Sequence, residues 1–146
     1  MRPAKHTPRH ALAALAFALA AAGARAGDLV VIVSARSAVE AMHAQQVADI
    51  FLGQVGRFPD GAEAVALDHR VGSPLRDEFY SKVVAKSPAL LKAYWTKMIF
   101  TGRGRPPREA GGSAAIRKMV AENPALIGYI DKSALDDSVK TVLVVH

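Results

Sequence analysis

The sequence predicts an α/β fold in which helices flank a mostly parallel central sheet. Short apolar runs rich in β-branched residues, typical of strands buried on both faces, alternate with segments whose apolar residues recur at helical spacing. Two of the helical segments follow a Ser-Pro pair, Ser73-Pro74 and Ser87-Pro88. Ser is a favoured N-cap and Pro is favoured at the first helical position, so each pair indicates a helix start. Strands that alternate with helices are typical of α/β proteins.

Four segments have the composition of strands. The first, DLVVIVS, is almost entirely apolar, which is expected of a central strand covered on both sides. The predicted strands are residues 28–34, 65–69, 126–130 and 139–145.

Four segments have the spacing of helices. Residues 44–52 carry Val47, Ile50 and Phe51 on one face, and Gly53 is placed to end that helix. In the last helix, residues 113–122, Ser113 is the expected cap. The predicted inward faces of the two middle helices are Leu75, Phe79, Tyr80 and Val83, followed by Leu90, Leu91, Tyr94, Trp95, Met98 and Ile99.

Residues 1–26 have the features of a cleavable export signal. Arg2, Lys5 and Arg9 form a positive segment, residues 11–22 are uncharged and apolar, and Ala24-Arg25-Ala26 has the small-x-small cleavage pattern. The apolar segment is much shorter than the roughly 20 residues of a membrane span. We therefore expect cleavage before Gly27 and one periplasmic domain, residues 27–146.

The charge of the predicted mature chain gives little support to nucleic-acid binding. The signal holds four of the 19 Lys and Arg residues and none of the 13 acidic ones, which leaves 15 basic residues and a net charge of about +2. The sequence has no cysteine, so disulfides and lipidation through cysteine are excluded. His43, His69 and His146 are too scattered to predict a metal site, and we expect neither a metal nor a cofactor.

A candidate anion site follows the second predicted strand. Arg70 and Arg76 flank the turn that contains Gly72 and Ser73, and guanidinium groups bind phosphate or carboxylate in bidentate fashion. In a parallel sheet, ligands bind beyond the carboxyl ends of the strands. If the first two strands end at the same edge, Ser34 and Ser37 would converge with Arg70, Gly72, Ser73 and Arg76.

Other interpretations of these residues stay open. Asp77 and Glu78 lie in the first turn of the predicted helix, where their charges could take the place of a bound anion. Asp68 could accept a hydrogen bond from a protonated phosphate, or it could pair with Arg70 or Arg76. No hydrolase elbow, zinc-protease motif, P-loop or cysteine nucleophile is present, so we do not expect an enzyme.

Four motifs, in this order and spacing, resemble the substrate-binding proteins of phosphate ABC importers, and more closely a family of short exported proteins named after them. The motifs are Val47–Gly53 (VADIFLG), the Arg70-x-Gly-Ser73 turn, Ile99-Phe100-Thr101-Gly102, and Ile127-Gly128-Tyr129-Ile130. The resemblance covers nearly the whole predicted mature chain. It implies a type 2 periplasmic-binding fold, reduced here to about one lobe.

The resemblance implies phosphate binding at the turn, but this chain departs from the family pattern there. Full-length binders continue Gly-Ser with Gly-Thr, where this chain has Pro74 and Leu75, and so one backbone donor and one hydroxyl are missing. The expected function is periplasmic binding of phosphate or a similar oxyanion, with an ABC permease as an implied partner. The alternative is an interaction or regulatory module that keeps the fold without high-affinity ligand binding.

Overall fold

The computed structural model describes residues 28–146, and the predicted signal, residues 1–26, lies outside them. Its centre is one five-stranded sheet in the order β3-β2-β4-β1-β5. Four of the strands were predicted from the sequence, whereas the two-residue strand β3 was not. The strands are β1 (Leu29–Ser34), β2 (Val65–Asp68), β3 (Arg108–Glu109), β4 (Leu126–Asp131) and β5 (Val139–Val145).

Strand direction decides which residues meet at each edge of the sheet. β2 runs parallel to both β3 and β4, whereas β1 is antiparallel to its neighbours β4 and β5. Four strands therefore share one direction, and β1 alone opposes them. The sheet is therefore mixed, with two parallel and two antiparallel pairs of neighbours, within the α/β class that the sequence predicted. It also places the end of β1 at the opposite edge from the ends of the other strands.

Four helices surround the sheet, and local capping explains where two of them begin. The Oγ atoms of Ser73 and Ser87 accept hydrogen bonds from the N–H groups of Arg76 and Leu90, and each serine precedes a proline in the first turn, as predicted. Ser113 does not cap its helix, because Gly112 holds that position. The helices are α1 (Ala44–Phe51), α2 (Pro74–Phe79), α3 (Pro88–Phe100) and α4 (Ser113–Glu122), with a π-helical turn at Tyr80–Val84 after α2 and a 3₁₀ turn at Lys132–Ala134.

β1 is the centre of the hydrophobic core because both of its faces are buried. Leu29, Val31 and Val33 face one apolar layer with α1 and the π-helical turn, while Val30 and Ile32 face a second layer with α4. These alternate positions explain why the strand has no exposed residue. No helix within residues 28–146 is long and apolar enough to cross a membrane.

α3 contacts the core along a narrower stripe than the sequence suggested. Leu91 and Trp95 are buried, but Leu90 and Ile99, which were predicted to face inward, are 59 % and 57 % exposed. Phe100 at the end of the helix is 91 % exposed. The helix is apolar on most of its surface, so helical spacing alone did not identify the buried side.

Adjacent leucines on α3 allow a matched test of this orientation. Leu91→Ala should lower the free energy of unfolding by about 2–5 kcal/mol, because it removes a buried side chain and leaves a cavity. Leu90→Ala should change it by no more than about 0.5 kcal/mol, because Leu90 lies on the surface. Urea denaturation of both variants measures these changes. Equal losses would contradict the orientation of the helix.

The absence of a side chain at Gly128 lets α4 approach the sheet. A Cβ atom added to Gly128 would lie 2.5 Å from Cγ2 of Ile116, well inside van der Waals contact. Gly128→Ala should therefore lower the free energy of unfolding by about 1–3 kcal/mol through overpacking. Gly56→Ala is the control, because no atom lies within 4 Å of its added Cβ. If urea denaturation gave both variants wild-type stability, the close packing of α4 would be contradicted.

Candidate functional site

A buried carboxylate lies at the carboxyl end of β2. Asp68 is 2 % exposed, and its oxygens accept hydrogen bonds from the hydroxyls of Tyr129 and Tyr80, the latter at 2.7 Å. Nε of Arg76 lies 3.4 Å from Oδ2 and completes an ion pair. Of the roles left open for Asp68, the structure therefore favours pairing with Arg76. A buried charge needs partners of this kind to offset its desolvation.

Burial shifts the pKa values of three groups near Asp68. Burial, together with the nearby Asp68 charge, raises the pKa of Tyr80 and of Tyr129, so both phenols keep their protons and donate them. Burial lowers the pKa of His69 below its ordinary value. Nε2 of His69 lies 2.8 Å from the carbonyl oxygen of Tyr129, which can only accept, so the neutral ring carries its hydrogen on Nε2.

The turn after β2 borders a pocket of about 410 Å³, which we call the loop pocket. Its lining includes Arg70, Gly72 and Ser73 on one side and Gly111 and Gly112 on the other. Gly72 and Gly111 have φ angles of 89° and 98°, a region that glycine adopts without strain. The predicted turn residues Arg70, Gly72 and Ser73 therefore lie together.

A second and larger space, which we call the helix cavity, lies between the Asp68 cluster and α3. Its volume is about 840 Å³, and its lining includes Asp68, Arg76, Trp95, Ile99, Pro106 and Pro107. Val71 and Gly72 border both spaces. Arg76 faces the helix cavity and is not part of the loop pocket, so the two arginines that flank the turn in sequence line different spaces.

The structure does not bring Ser34 and Ser37 to this edge of the sheet. Ser34 ends β1, which is antiparallel to β4, and so it lies at the opposite edge from Asp68. The Oγ of Ser34 donates to the carbonyl of Ala121, and the Oγ of Ser37 accepts from the N–H of Val39. The expected convergence of these serines with Arg70 is therefore wrong, and both serines instead stabilise a turn near the end of α4.

The sequence analysis gave three residues of this region no polar role: Tyr80 and Trp95 were placed on inward helix faces, and Tyr129 in a predicted strand. Tyr80, Trp95 and Tyr129 occupy apolar spacing positions, and the polar atoms of these side chains left no signature in the pattern. Tyr80 and Tyr129 hold Asp68, and Trp95 lines the helix cavity. Asp68, an acidic residue in an otherwise apolar strand, was the signal that could have predicted these contacts, since a buried carboxylate needs hydrogen-bond donors nearby.

Comparison with solved structures identifies the class of fold. A protein from Clostridium perfringens, assigned as a phosphate ABC transporter substrate-binding protein and solved with bound phosphate, aligns with a TM-score of 0.64 and 26 % identity. An ABC-type phosphate transport receptor from Vibrio cholerae aligns with a TM-score of 0.63 and 17 % identity. PstS from Borrelia burgdorferi aligns with a TM-score of 0.56 and 13 % identity. Each alignment covers 80 % of this chain.

The fold is thus similar to that of phosphate ABC transporter substrate-binding proteins. The chain spans only 44–46 % of the length of these three neighbours, which is consistent with one lobe of a binding protein. No family model matches the chain, and no curated protein matches it by sequence. The neighbours are binding and transport proteins, a class that agrees with the expectation of a protein that is not an enzyme.

The buried His69 predicts how stability depends on pH. Because its pKa is lowered in the folded state, the unfolded chain binds a proton that the folded protein does not. The free energy of unfolding should therefore decrease as the pH falls below about 6.5, the ordinary pKa of histidine. His69→Gln should weaken this decrease, whereas His146→Gln, an exposed control, should keep it. Urea denaturation at about pH 7.5 and pH 5 measures the difference, and identical slopes in all three proteins would contradict it.

Proposed function

We propose that this chain is an exported solute-binding protein that binds phosphate or a similar small oxyanion non-covalently in the loop pocket. The observation that carries the proposal is the guanidinium of Arg70, which is exposed beside the pocket and makes no ion pair within the described residues. A free guanidinium next to a glycine-lined turn suits the charge and the hydrogen-bonding of an oxyanion.

Further donors support this assignment. The Oγ of Ser73 accepts the N–H of Arg76, so the hydrogen of the Ser73 hydroxyl remains available to a ligand. Gly72, Gly111 and Gly112 have no side chains to screen their backbone at the pocket. The phosphate found in the Clostridium perfringens neighbour, at 26 % identity, adds support for the ligand class.

The proposed location and partner follow from the same comparison. The predicted export signal and the similarity to ABC transporter substrate-binding proteins support a periplasmic location and an ABC permease as partner. The site has fewer donors than the phosphate-binder pattern, since Pro74 has no N–H and Leu75 no hydroxyl. We therefore expect weaker binding than in a closed two-lobed binder.

A thermal titration with phosphate at low salt tests the proposal. Binding to the native state raises stability by RT ln(1 + [L]/Kd), about 2.7 kcal/mol at a hundredfold excess over Kd. Arg70→Ala should raise the Kd by about 10- to 100-fold with little change in stability, because it removes a charge-assisted contact from an exposed position. Arg103→Ala, another exposed arginine, is the matched control and should keep wild-type affinity.

Two outcomes of the titration would contradict the proposal. An equal shift with sulfate and phosphate that survives Arg70→Ala would indicate general salt stabilisation. The absence of any shift at millimolar phosphate would favour the interaction module. A specific observation supports that second function: Leu90 and Phe100 of α3, which do not line the helix cavity, are 59 % and 91 % exposed, and exposed apolar surface of this kind is typical of protein contacts.

A further inference from the structure

Arg76 is a charged group that the proposed oxyanion site does not use. Its side chain is 11 % exposed, its Nε pairs with Asp68, and its Cζ lies 4.9 Å from the centre of the Tyr80 ring. The two terminal nitrogens make no hydrogen bond to any residue that the structure describes. The guanidinium is thus fixed in place on one side, while its other side borders the helix cavity.

The walls of the helix cavity are mainly apolar. Leu91, Trp95 and Ile99 of α3 lie on one side, and Pro106 and Pro107 contribute from the loop before β3. Nε1 of Trp95 is buried and has no hydrogen-bond acceptor within residues 28–146. The volume of about 840 Å³ falls in the range of pockets for organic ligands, roughly 300–1,000 Å³, and far exceeds the size of an inorganic oxyanion.

The charges that line the helix cavity restrict the charge of its ligand. Arg76 and Lys92 are basic, whereas Asp68, Asp77 and Glu109 are acidic. Three carboxylates against two cations disfavour a dianion such as a phosphate monoester, since like charges repel at short range. A single negative charge can still be held by the free side of the Arg76 guanidinium.

We propose that the helix cavity binds an organic monocarboxylate, with its carboxylate on the terminal nitrogens of Arg76 and its apolar body among Trp95, Ile99, Pro106 and Pro107. This site is distinct from the loop pocket and takes a different class of ligand. It needs no second lobe, because the groups named here all belong to this chain.

The single tryptophan of the sequence provides a direct signal, because Trp95 lines the cavity. The full-length protein is titrated with 3-phenylpropionate, with the neutral amide of the same acid, and with inorganic phosphate, and tryptophan fluorescence is recorded. We expect a saturable change with the acid and at least about tenfold weaker binding of the amide, which cannot form a charge-assisted pair with Arg76. Phosphate should not displace the acid.

Substitutions in the lining of the helix cavity test whether the fluorescence change reports binding there. Arg76→Lys keeps a cation beside Asp68 but loses the planar fork, and it should weaken acid binding about tenfold. Ala89→Phe should block the cavity from the exposed surface of α3, whereas Ala93→Phe, one turn further along, lies outside the cavity lining and should bind normally. The Ala89→Phe and Ala93→Phe pair decides the question even if Arg76→Lys does not fold.

Three results of the titrations with the acid and its amide would overturn the proposal. These are no fluorescence change up to tens of millimolar acid, equal binding of acid and amide, and unchanged binding in Ala89→Phe. Displacement of the acid by phosphate would overturn the assignment of a monoanion. A phosphate-dependent thermal shift without any response to the acid would overturn this proposal and leave the oxyanion site intact, so the two failures are distinguishable.

Discussion

The arrangement of this edge of the sheet depends on the buried carboxylate of Asp68. A charge at this depth is tolerated because two phenols and a guanidinium surround it, each from a different element: Tyr80 from the π-helical turn, Tyr129 from β4 and Arg76 from α2. The same contacts fix the position of α2 relative to β2 and β4. The turn at residues 70–73, which connects β2 to α2, is therefore held at both ends.

This constraint separates two spaces with different chemistry. On one side of the turn, Arg70 is exposed beside glycine backbone and has no ion-pair partner among residues 28–146, an arrangement suited to a small, hydrated anion. On the other side, Arg76 is fixed by Asp68 and Tyr80 and borders an apolar cavity. Both arginines flank one short turn in sequence, yet only Arg76 pairs with Asp68 and is largely buried, whereas Arg70 is exposed. The ion pair thus accounts for two neighbouring spaces of unlike polarity.

Structural features that depend on a few neighbouring residues were predicted well from the sequence. Ser73 and Ser87 cap their helices as expected, because capping depends on a side chain and an N–H group within one turn. The direction of β1 could not be predicted, since an apolar strand carries the same pattern in either direction and its orientation depends on distant partners. The mistaken placement of Ser34 and Ser37 followed directly from that direction.

Side-chain roles within the helices were predictable only in part. Leu90 and Leu91 have the same chemistry, and on a helix that is apolar on most sides the sequence does not show which of them is buried. The pairing of Asp68 with Arg76 was foreseen as one alternative because two arginines lay nearby. The donors Tyr80 and Tyr129 were not predicted. Their rings fit the apolar pattern of the sequence, which gives no sign that their hydroxyls donate hydrogen bonds to Asp68.

The central position of β1 has a consequence for how the protein folds. β1 is near the start of the chain, yet both of its partners, β4 and β5, come from its last quarter. The core cannot close around β1 until β4 and β5 have been synthesised, and contacts so distant in sequence slow folding. Until then a nascent chain with this topology lacks both sheet partners of its most buried strand, a property that would be compatible with the export proposed above.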